Sequence, residues 1–126
     1  MPFQVSEETL PQGSLLRLSG RPTRNGDDPF RDYLERLVHV NRNRIIIDLA
    51  EVDYVDSAFL ATLVAFSRRT RRRGGALKLI RLNQKLKDIL FVTQLFNLLE
   101  VFETLDQAQT SFNDLPAEKT SVERTA

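Results

Sequence analysis

Ser57 is placed for chemistry because it lies where a buried strand gives way to a helix. Ile45, Ile46, Ile47 and Leu49 form a short apolar block, and such a block between polar residues predicts a strand that is buried on both faces. Ser57 then opens a segment with helical spacing of apolar residues. A phosphate on its hydroxyl would meet unpaired backbone N–H groups and the positive end of the helix dipole. Ser57 is therefore a candidate regulatory phosphorylation site.

Helix capping is the simpler role for the pair Asp56 and Ser57. Both residue types are preferred as N-caps, and one cap contributes about 1 kcal/mol to stability. Spacing alone favours capping over regulation, so both interpretations stay open at this point.

Three carboxylates near this junction, those of Asp48, Asp53 and Asp56, could form a metal site or an acid–base group. A hard cation needs several converging oxygens, but one strand-end carboxylate and two loop carboxylates are more simply turn formers and caps. The sequence shows no nucleophile with a base and an orienting group. We therefore expect no enzymatic activity, no metal and no cofactor.

The composition predicts one globular domain. The chain has 126 residues, 41% hydrophobic and 28% charged, which is enough to bury a core. It has no cysteine and a single histidine, His39, which excludes disulfides, thiolate nucleophiles and the common zinc ligand sets. His39 falls near the end of a predicted helix, where it would interact with the helix dipole.

No segment approaches the roughly 20 apolar residues of a membrane span, and residues 1–5 lack the features of a signal peptide. We therefore expect a cytoplasmic protein. The net charge of +1 gives no general attraction to nucleic acid or membrane. Arginines are nevertheless clustered at Arg68, Arg69, Arg71, Arg72 and Arg73. Clustered guanidinium groups could bind the phosphates of nucleic acid or anionic lipid. They more simply offset the negative end of a helix, and a third possibility is that some of them meet an acidic protein partner.

Strands alternate with helices along the chain, which predicts an α/β domain with an at least partly parallel sheet. The strands are expected around residues 15–18, 45–49, 77–80 and 101–102, with a further pairing near Phe3 and Val5. Helices are expected from the Asp28-Pro29 pair, from Ser57 to Gly74-Gly75, after the cap Asn83 with Thr93 on the inner face, and over 105–112. Residues 1–112 would form the domain, and residues 113–126 a disordered tail.

Four apolar residues around the end of the third predicted helix exceed what one helix face needs. We expect most of them in the core or over the sheet edge, and a minority on the surface. They are Phe91, Val92, Leu95 and Phe96.

The stretch Val52-Asp-Tyr-Val-Asp-Ser-Ala-Phe-Leu resembles the signature of STAS domains, the family of bacterial anti-sigma factor antagonists. The resemblance extends from about residue 14 to 112 and includes Leu18-Ser19-Gly20-Arg21, Gly74-Gly75 and the ending from Leu99. It implies a STAS-like mixed sheet of four to five strands with helices packed on it.

This sequence departs from the family pattern at two positions. Phe59 stands where the family usually has Gly two residues after the serine, and we expect its ring to alter the surface beside the hydroxyl. Thr23 stands where an Asp often lies near the serine.

The resemblance implies a phosphorylation-switched interaction module. The unmodified domain would bind an anti-sigma factor with serine kinase activity and so release a sigma factor for transcription. Phosphorylation of Ser57 would end the binding, and a serine phosphatase would be a further partner. Asp56, Ala58, Phe59 and Leu60 would border the contact surface around Ser57.

Two other classes stay open. One is an accessory STAS subunit of an ABC-type phospholipid transporter, which docks on an ATPase without phosphorylation. The other is a small α/β enzyme, which the lack of a catalytic group disfavours. No direct contact with nucleic acid or a membrane is expected, and the oligomeric state is open.

Overall fold

Five strands form one mixed sheet in the order β1-β2-β3-β4-β5. The computed structural model describes residues 3–21 and 29–114. The strands are β1 Gln4–Leu10, β2 Gly13–Gly20, β3 Arg44–Val52, β4 Ala76–Ile80 and β5 Glu100–Phe102. β1 is antiparallel to β2, and each later pair of neighbours is parallel. The predicted α/β fold class and mixed sheet are confirmed.

Four helices connect or follow the parallel strands. They are α1 Pro29–His39, α2 Ser57–Arg72, α3 Gln84–Val92 and α4 Leu105–Ser111, with 3-10 turns over Leu95–Asn97 and Phe112–Asp114. α1, α2 and α3 pack on one face of the sheet, and α4 with the last turn packs on the other. Successive right-handed crossovers in one direction along a sheet place their helices on the same face.

The central strand β3 is buried on both faces, as its sequence predicts. Ile45 and Ile47 belong to the core beneath α1–α3, whereas Ile46 belongs to the core beneath α4. All three side chains are fully buried. β3 therefore sets the position of the helices on either side of it.

Gly74 and Gly75 follow the end of α2, and each position favours glycine for a different reason. Gly74 has φ 85°, a conformation that glycine adopts without a steric cost. A Cβ on Gly75 would lie 2.1 Å from the Asn43 carbonyl oxygen, so the backbone approach at the start of β4 requires glycine.

Lys78 is a buried charge that the sequence analysis did not identify. It lies on β4 beneath α4 and is only 2% exposed. Its Nζ lies 3.0 Å from a Glu100 carboxylate oxygen and donates to the Ser111 hydroxyl. The Phe102 and Phe112 ring centroids are 5.2 and 4.8 Å away. These contacts tie α4 to β4 and β5.

Two expectations about the later part of the chain were wrong. Thr93 caps the end of α3 and is exposed, so it is not on an inner helix face. Phe91 and Val92 are 74% and 78% exposed and Phe96 is also exposed, so most of that apolar group lies on the surface. The last 3-10 turn spans Phe112–Asp114. Asp28 and residues 115–126 lie outside the described residues, so the division into a domain over 1–112 and a tail over 113–126 stays a prediction.

An ion pair joins α1 to α2. The Arg69 guanidinium donates to both Glu35 carboxylate oxygens, at 2.7 and 3.2 Å, and lies over the Phe66 ring at 4.6 Å. These hydrogen bonds are the main reason that the pKa of Glu35 lies below its ordinary value.

We predict that Glu35→Gln lowers the free energy of unfolding by about 0.5 kcal/mol at neutral pH, the size expected of a half-exposed pair. A carboxyl whose pKa is depressed by folding stabilises the fold above its unfolded pKa of about 4.3, and loses that effect as the pH falls through the lower folded-state value. Urea unfolding across the acid range should therefore show the two proteins converging at low pH. A difference that grows on acidification would contradict this assignment, and Arg72→Gln is the control on the same helix.

Candidate functional site

The loop between β3 and α2, residues 53–56, is held to the domain from both sides. Val55 is buried in the core beneath α1–α3. The Asn83 side chain donates to the Val52 carbonyl oxygen at 3.3 Å and accepts from the Leu86 amide at 2.8 Å, which caps α3. The beginning of α3 therefore lies beside the end of β3, and the loop leads into α2 from a defined position.

Asp56 is the N-cap of α2, and Ser57 is not. An Asp56 carboxylate oxygen accepts from the Phe59 amide at 2.8 Å, and the backbone of Asp56 is extended, as an N-cap requires. Ser57 is the first helical residue and is exposed. Within residues 3–21 and 29–114, its hydroxyl makes no hydrogen bond.

The first turn of α2 keeps two backbone donors available. Asp56 occupies the Phe59 amide, but the amides of Ser57 and Ala58 have no acceptor among the residues that the structure describes. The first turn contains no acidic residue. These donors and the positive helix end favour an anionic group on the Ser57 hydroxyl.

Phe59 lies in the core, so the expectation that its ring alters the surface beside Ser57 was wrong. The side chain is 6% exposed, and its ring centroid lies 5.1 Å from that of Phe30. The buried face of α2 is centred on Phe59, Leu63 and Phe66, whereas Leu60 is only half-buried. Of the residues expected to border the contact surface around Ser57, Phe59 is therefore buried, whereas Asp56, Ala58 and Leu60 are half-buried.

Asp48, Asp53 and Asp56 do not form a metal site. Each of these carboxylates contacts partners of its own. Asp48 is buried, accepts from the Ala50 amide at 3.0 Å and pairs with Arg17 and Arg81. Its hydrogen bond raises the pKa of the Arg81 guanidinium. Among residues 3–21 and 29–114, no group of three or more acidic or histidine side chains could hold a metal ion.

Arg21 and Tyr54 are exposed at this loop, and no role was predicted for either side chain from the sequence. Asp53 lies 3.6 Å from the Arg21 guanidinium, and Arg21 lies 5.7 Å from the Tyr54 ring centroid, which is itself exposed. Both residues lie in segments that resemble STAS domains, and that was the signal in the sequence that could have identified them. The family departure at Thr23 lies outside the described residues.

The arginine cluster at the end of α2 divides into paired and unpaired side chains. Arg69 pairs with Glu35, Arg71 lies 3.6 Å from Glu100, and Arg73 donates to Asn41 at 3.1 Å. Arg68 and Arg72 are exposed and have no partner within the described part of the chain. His39 is the last residue of α1, as predicted.

The comparisons with known proteins agree with this fold. A family model described as "Mlab, STAS domain" matches residues 5–100, so the chain belongs to the STAS domain family. No helix among the described residues has the length and apolar character needed to cross a bilayer.

Solved structures of anti-sigma factor antagonists share the fold at low sequence identity. A candidate antagonist from Thermotoga maritima is 18% identical with a TM-score of 0.76, over 86% of this chain and 94% of that one. An antagonist from Mycobacterium paratuberculosis is 20% identical with a TM-score of 0.75, over 90% and 96%. The Bacillus cell fate determinant SpoIIAA in its phosphorylated form is 14% identical with a TM-score of 0.65, over 87% and 98%.

We predict that Asp56→Ala lowers the free energy of unfolding by about 1 kcal/mol, because the Phe59 amide loses its acceptor. Asp56→Asn keeps a side-chain acceptor and should cost much less. Ser57→Ala should leave stability within about 0.5 kcal/mol of the wild type, since no hydrogen bond is lost. Equal losses for Asp56→Ala and Ser57→Ala in urea titrations would contradict the assignment of the cap to Asp56.

Phe59→Ala should cost about 3–5 kcal/mol, because it leaves a cavity against Phe30. Phe91→Ala makes the same chemical change on the surface and should stay within about 0.5 kcal/mol of the wild type. Thermal or urea unfolding of both variants measures this difference. A small loss for Phe59→Ala would place its ring outside the core.

Proposed function

We propose that this chain is an anti-sigma factor antagonist that binds an anti-sigma factor with serine kinase activity while Ser57 is unphosphorylated. Phosphorylation of Ser57 ends that binding, and a serine phosphatase restores it. The domain regulates sigma-dependent transcription through this contact and catalyses nothing itself. Family membership and the fold shared with anti-sigma factor antagonists support the proposal.

The observation that carries the proposal is the separation of two roles at adjacent residues. Asp56 supplies the cap, so the exposed hydroxyl of Ser57 takes no part in a hydrogen bond within the described residues. A kinase can modify that hydroxyl without removing a contact on which the fold depends. The free amides at the start of α2 then compensate the added charge within the domain.

The same phosphate acts differently on a bound partner. It adds about −1.5 to −2 charges and three hydrated oxygens to the contact surface. Burying such a group against another protein costs free energy unless that protein supplies matching donors. Asp53 and Asp56, which precede Ser57 in the same short segment, add negative charge of the same sign. Affinity can therefore be lost while the domain remains folded.

We expect the cognate kinase and ATP to place a single phosphate on Ser57. The kinase is obtained by capturing ATPases on the immobilised domain, and the modification is measured by intact-mass and peptide analysis. Ser57→Ala should receive no phosphate, whereas Ser6→Ala, which removes an exposed serine from β1, should be modified as the wild type is. Modification at another residue, or none, would contradict the proposal.

The binding consequence is measured by calorimetric titration of the kinase with Ser57 variants. Ser57→Ala and Ser57→Asn should bind within a few-fold of the wild type, whereas Ser57→Asp should bind about tenfold or more weakly because it adds charge to an interface. Ser57→Asp should not lower the unfolding temperature, since an acidic residue in the first helical turn is stabilising. Equal affinities for Ser57→Asn and Ser57→Asp would remove the charge switch. Capture of an ABC-type ATPase with no phosphate transfer would indicate an accessory transporter subunit instead.

A further inference from the structure

The arginines of residues 68–73 are used in two different ways. Those on the flanks of α2 and at its end contribute to the fold: Arg69 pairs with Glu35, Arg71 with Glu100, and Arg73 with Asn41. Arg68 and Arg72 are exposed and form no hydrogen bond, ion pair or ring contact with any residue that the structure describes. A cation can offset the helix dipole from any side of the helix. The dipole therefore does not explain why these two arginines lie on the same side of α2.

Arg68 and Arg72 lie on the same stripe of α2 as Ser57. At about 100° per residue, Ser57, Ala61, Ala65, Arg68 and Arg72 fall within roughly 80° of one another, and all five are exposed. This stripe, which we call the outer face of α2, lies opposite the buried residues Phe59, Leu63 and Phe66. The arginines lie roughly 16 and 22 Å along the helix from the serine.

The charged side chains on the outer face are all cationic. α2 contains no acidic residue in its 16 positions, although solvated helix faces commonly mix both signs of charge. Ala61 and Ala65 place only methyl groups between the serine and the arginines, which allows another backbone to approach closely. Two guanidinium groups one turn apart are suited to carboxylates with the same spacing.

We propose that the outer face of α2 is a docking surface for an acidic segment of a partner protein, whose carboxylates pair with Arg68 and Arg72 while its backbone passes over Ala61 and Ala65 and reaches Ser57. The proposal rests on the function proposed above and identifies which surface the kinase partner contacts. The serine would lie at one end of the contact and the arginine pair at the other. Phosphorylation thus acts on one end of a continuous surface.

The other occupants of such a surface fit these charges less well. Two cations are fewer than the four to eight that mark a lipid-binding cluster or the six or more phosphate contacts typical of strong nucleic-acid binding. A second copy would bring another stripe whose charged side chains are all cationic, and like charges repel. An acidic protein segment is complementary to both arginines and to the small residues between them.

The test compares Arg68→Glu/Arg72→Glu with the control Arg36→Glu. Arg36 is an exposed arginine in the last turn of α1 and lies over the Tyr33 ring at 4.5 Å. The control therefore makes one such charge reversal, half the change of the double variant, near the end of a helix other than α2. We expect the double variant to bind the captured kinase about tenfold or more weakly than the wild type, chiefly through slower association, and to lose most of the salt dependence of binding. Arg36→Glu should bind within about twofold of the wild type.

Each result decides the proposal. The proposal is overturned if the folded double variant binds the kinase with wild-type affinity. It is also overturned if the wild-type domain captures no partner whose binding depends on the two arginines. Sedimentation of the wild type but not the double variant with vesicles of equal parts phosphatidylcholine and phosphatidylglycerol would assign the face to lipid. A dimer that the double variant abolishes would assign it to self-association. Either assignment also overturns the proposal.

The two proposals fail separately. If the double variant loses the kinase while Ser57 receives no phosphate and the Ser57 variants bind equally, the docking surface stands and the switch does not. If Ser57 is phosphorylated and Ser57→Asp weakens binding while the double variant binds normally, the switch stands and this surface is wrong. Circular dichroism of the double variant distinguishes lost binding from lost folding.

Discussion

Burial of β3 on both faces is the constraint on which the rest of the structure depends. A strand with Ile45, Ile46 and Ile47 fully buried needs a sheet neighbour on each edge and a helical layer on each face. Its carboxyl end must then lead to the surface, and the next helix must return across the sheet. The loop at residues 53–56 and the start of α2 therefore occupy the carboxyl edge of the parallel strands, where Ser57 is accessible.

The candidate site consists of a loop held by several contacts and the exposed Ser57 hydroxyl. Val55 inserts into the core, Asn83 links β3 to α3, and Asp56 occupies the amide of Phe59. None of these contacts involves the Ser57 side chain. A charge added at Ser57 would alter the surface without removing a contact of the fold, because the Ser57 side chain makes no hydrogen bond within the described residues.

Charged residues in this domain divide by what surrounds them. Asp48 and Lys78 are buried on the α4 side of the sheet, and each has partners of opposite charge, as the cost of burying an ion requires. Arg69 and Arg71 join neighbouring elements from the edges of α2. Arg68 and Arg72 have neither role among the residues that the structure describes.

Local patterns in the chain predicted the element order, an at least partly parallel sheet and the start of α2 at Ser57, and the family resemblance implied a mixed sheet. These features follow from short-range physics: the apolar block at 45–49 favours a buried strand, Asn83 caps a helix, and Gly74-Gly75 ends one. The sequence also predicted a cap at Asp56 or Ser57. Sequence alone did not decide between them, because both residue types accept the same backbone hydrogen bond.

Only the tertiary structure decided which residues share a face and which find partners. The rotation of α2 against the sheet placed Phe59 beside Phe30 in the core, although its position next to Ser57 suggested a surface ring. The pairing of Lys78 with Glu100 depends on strands that are distant in sequence. Which arginines are paired also depends on long-range packing, since Arg69 on α2 donates to Glu35 on α1. Periodicity predicts that a helix has a buried side, but long-range packing sets the rotation of that side and the partners it meets.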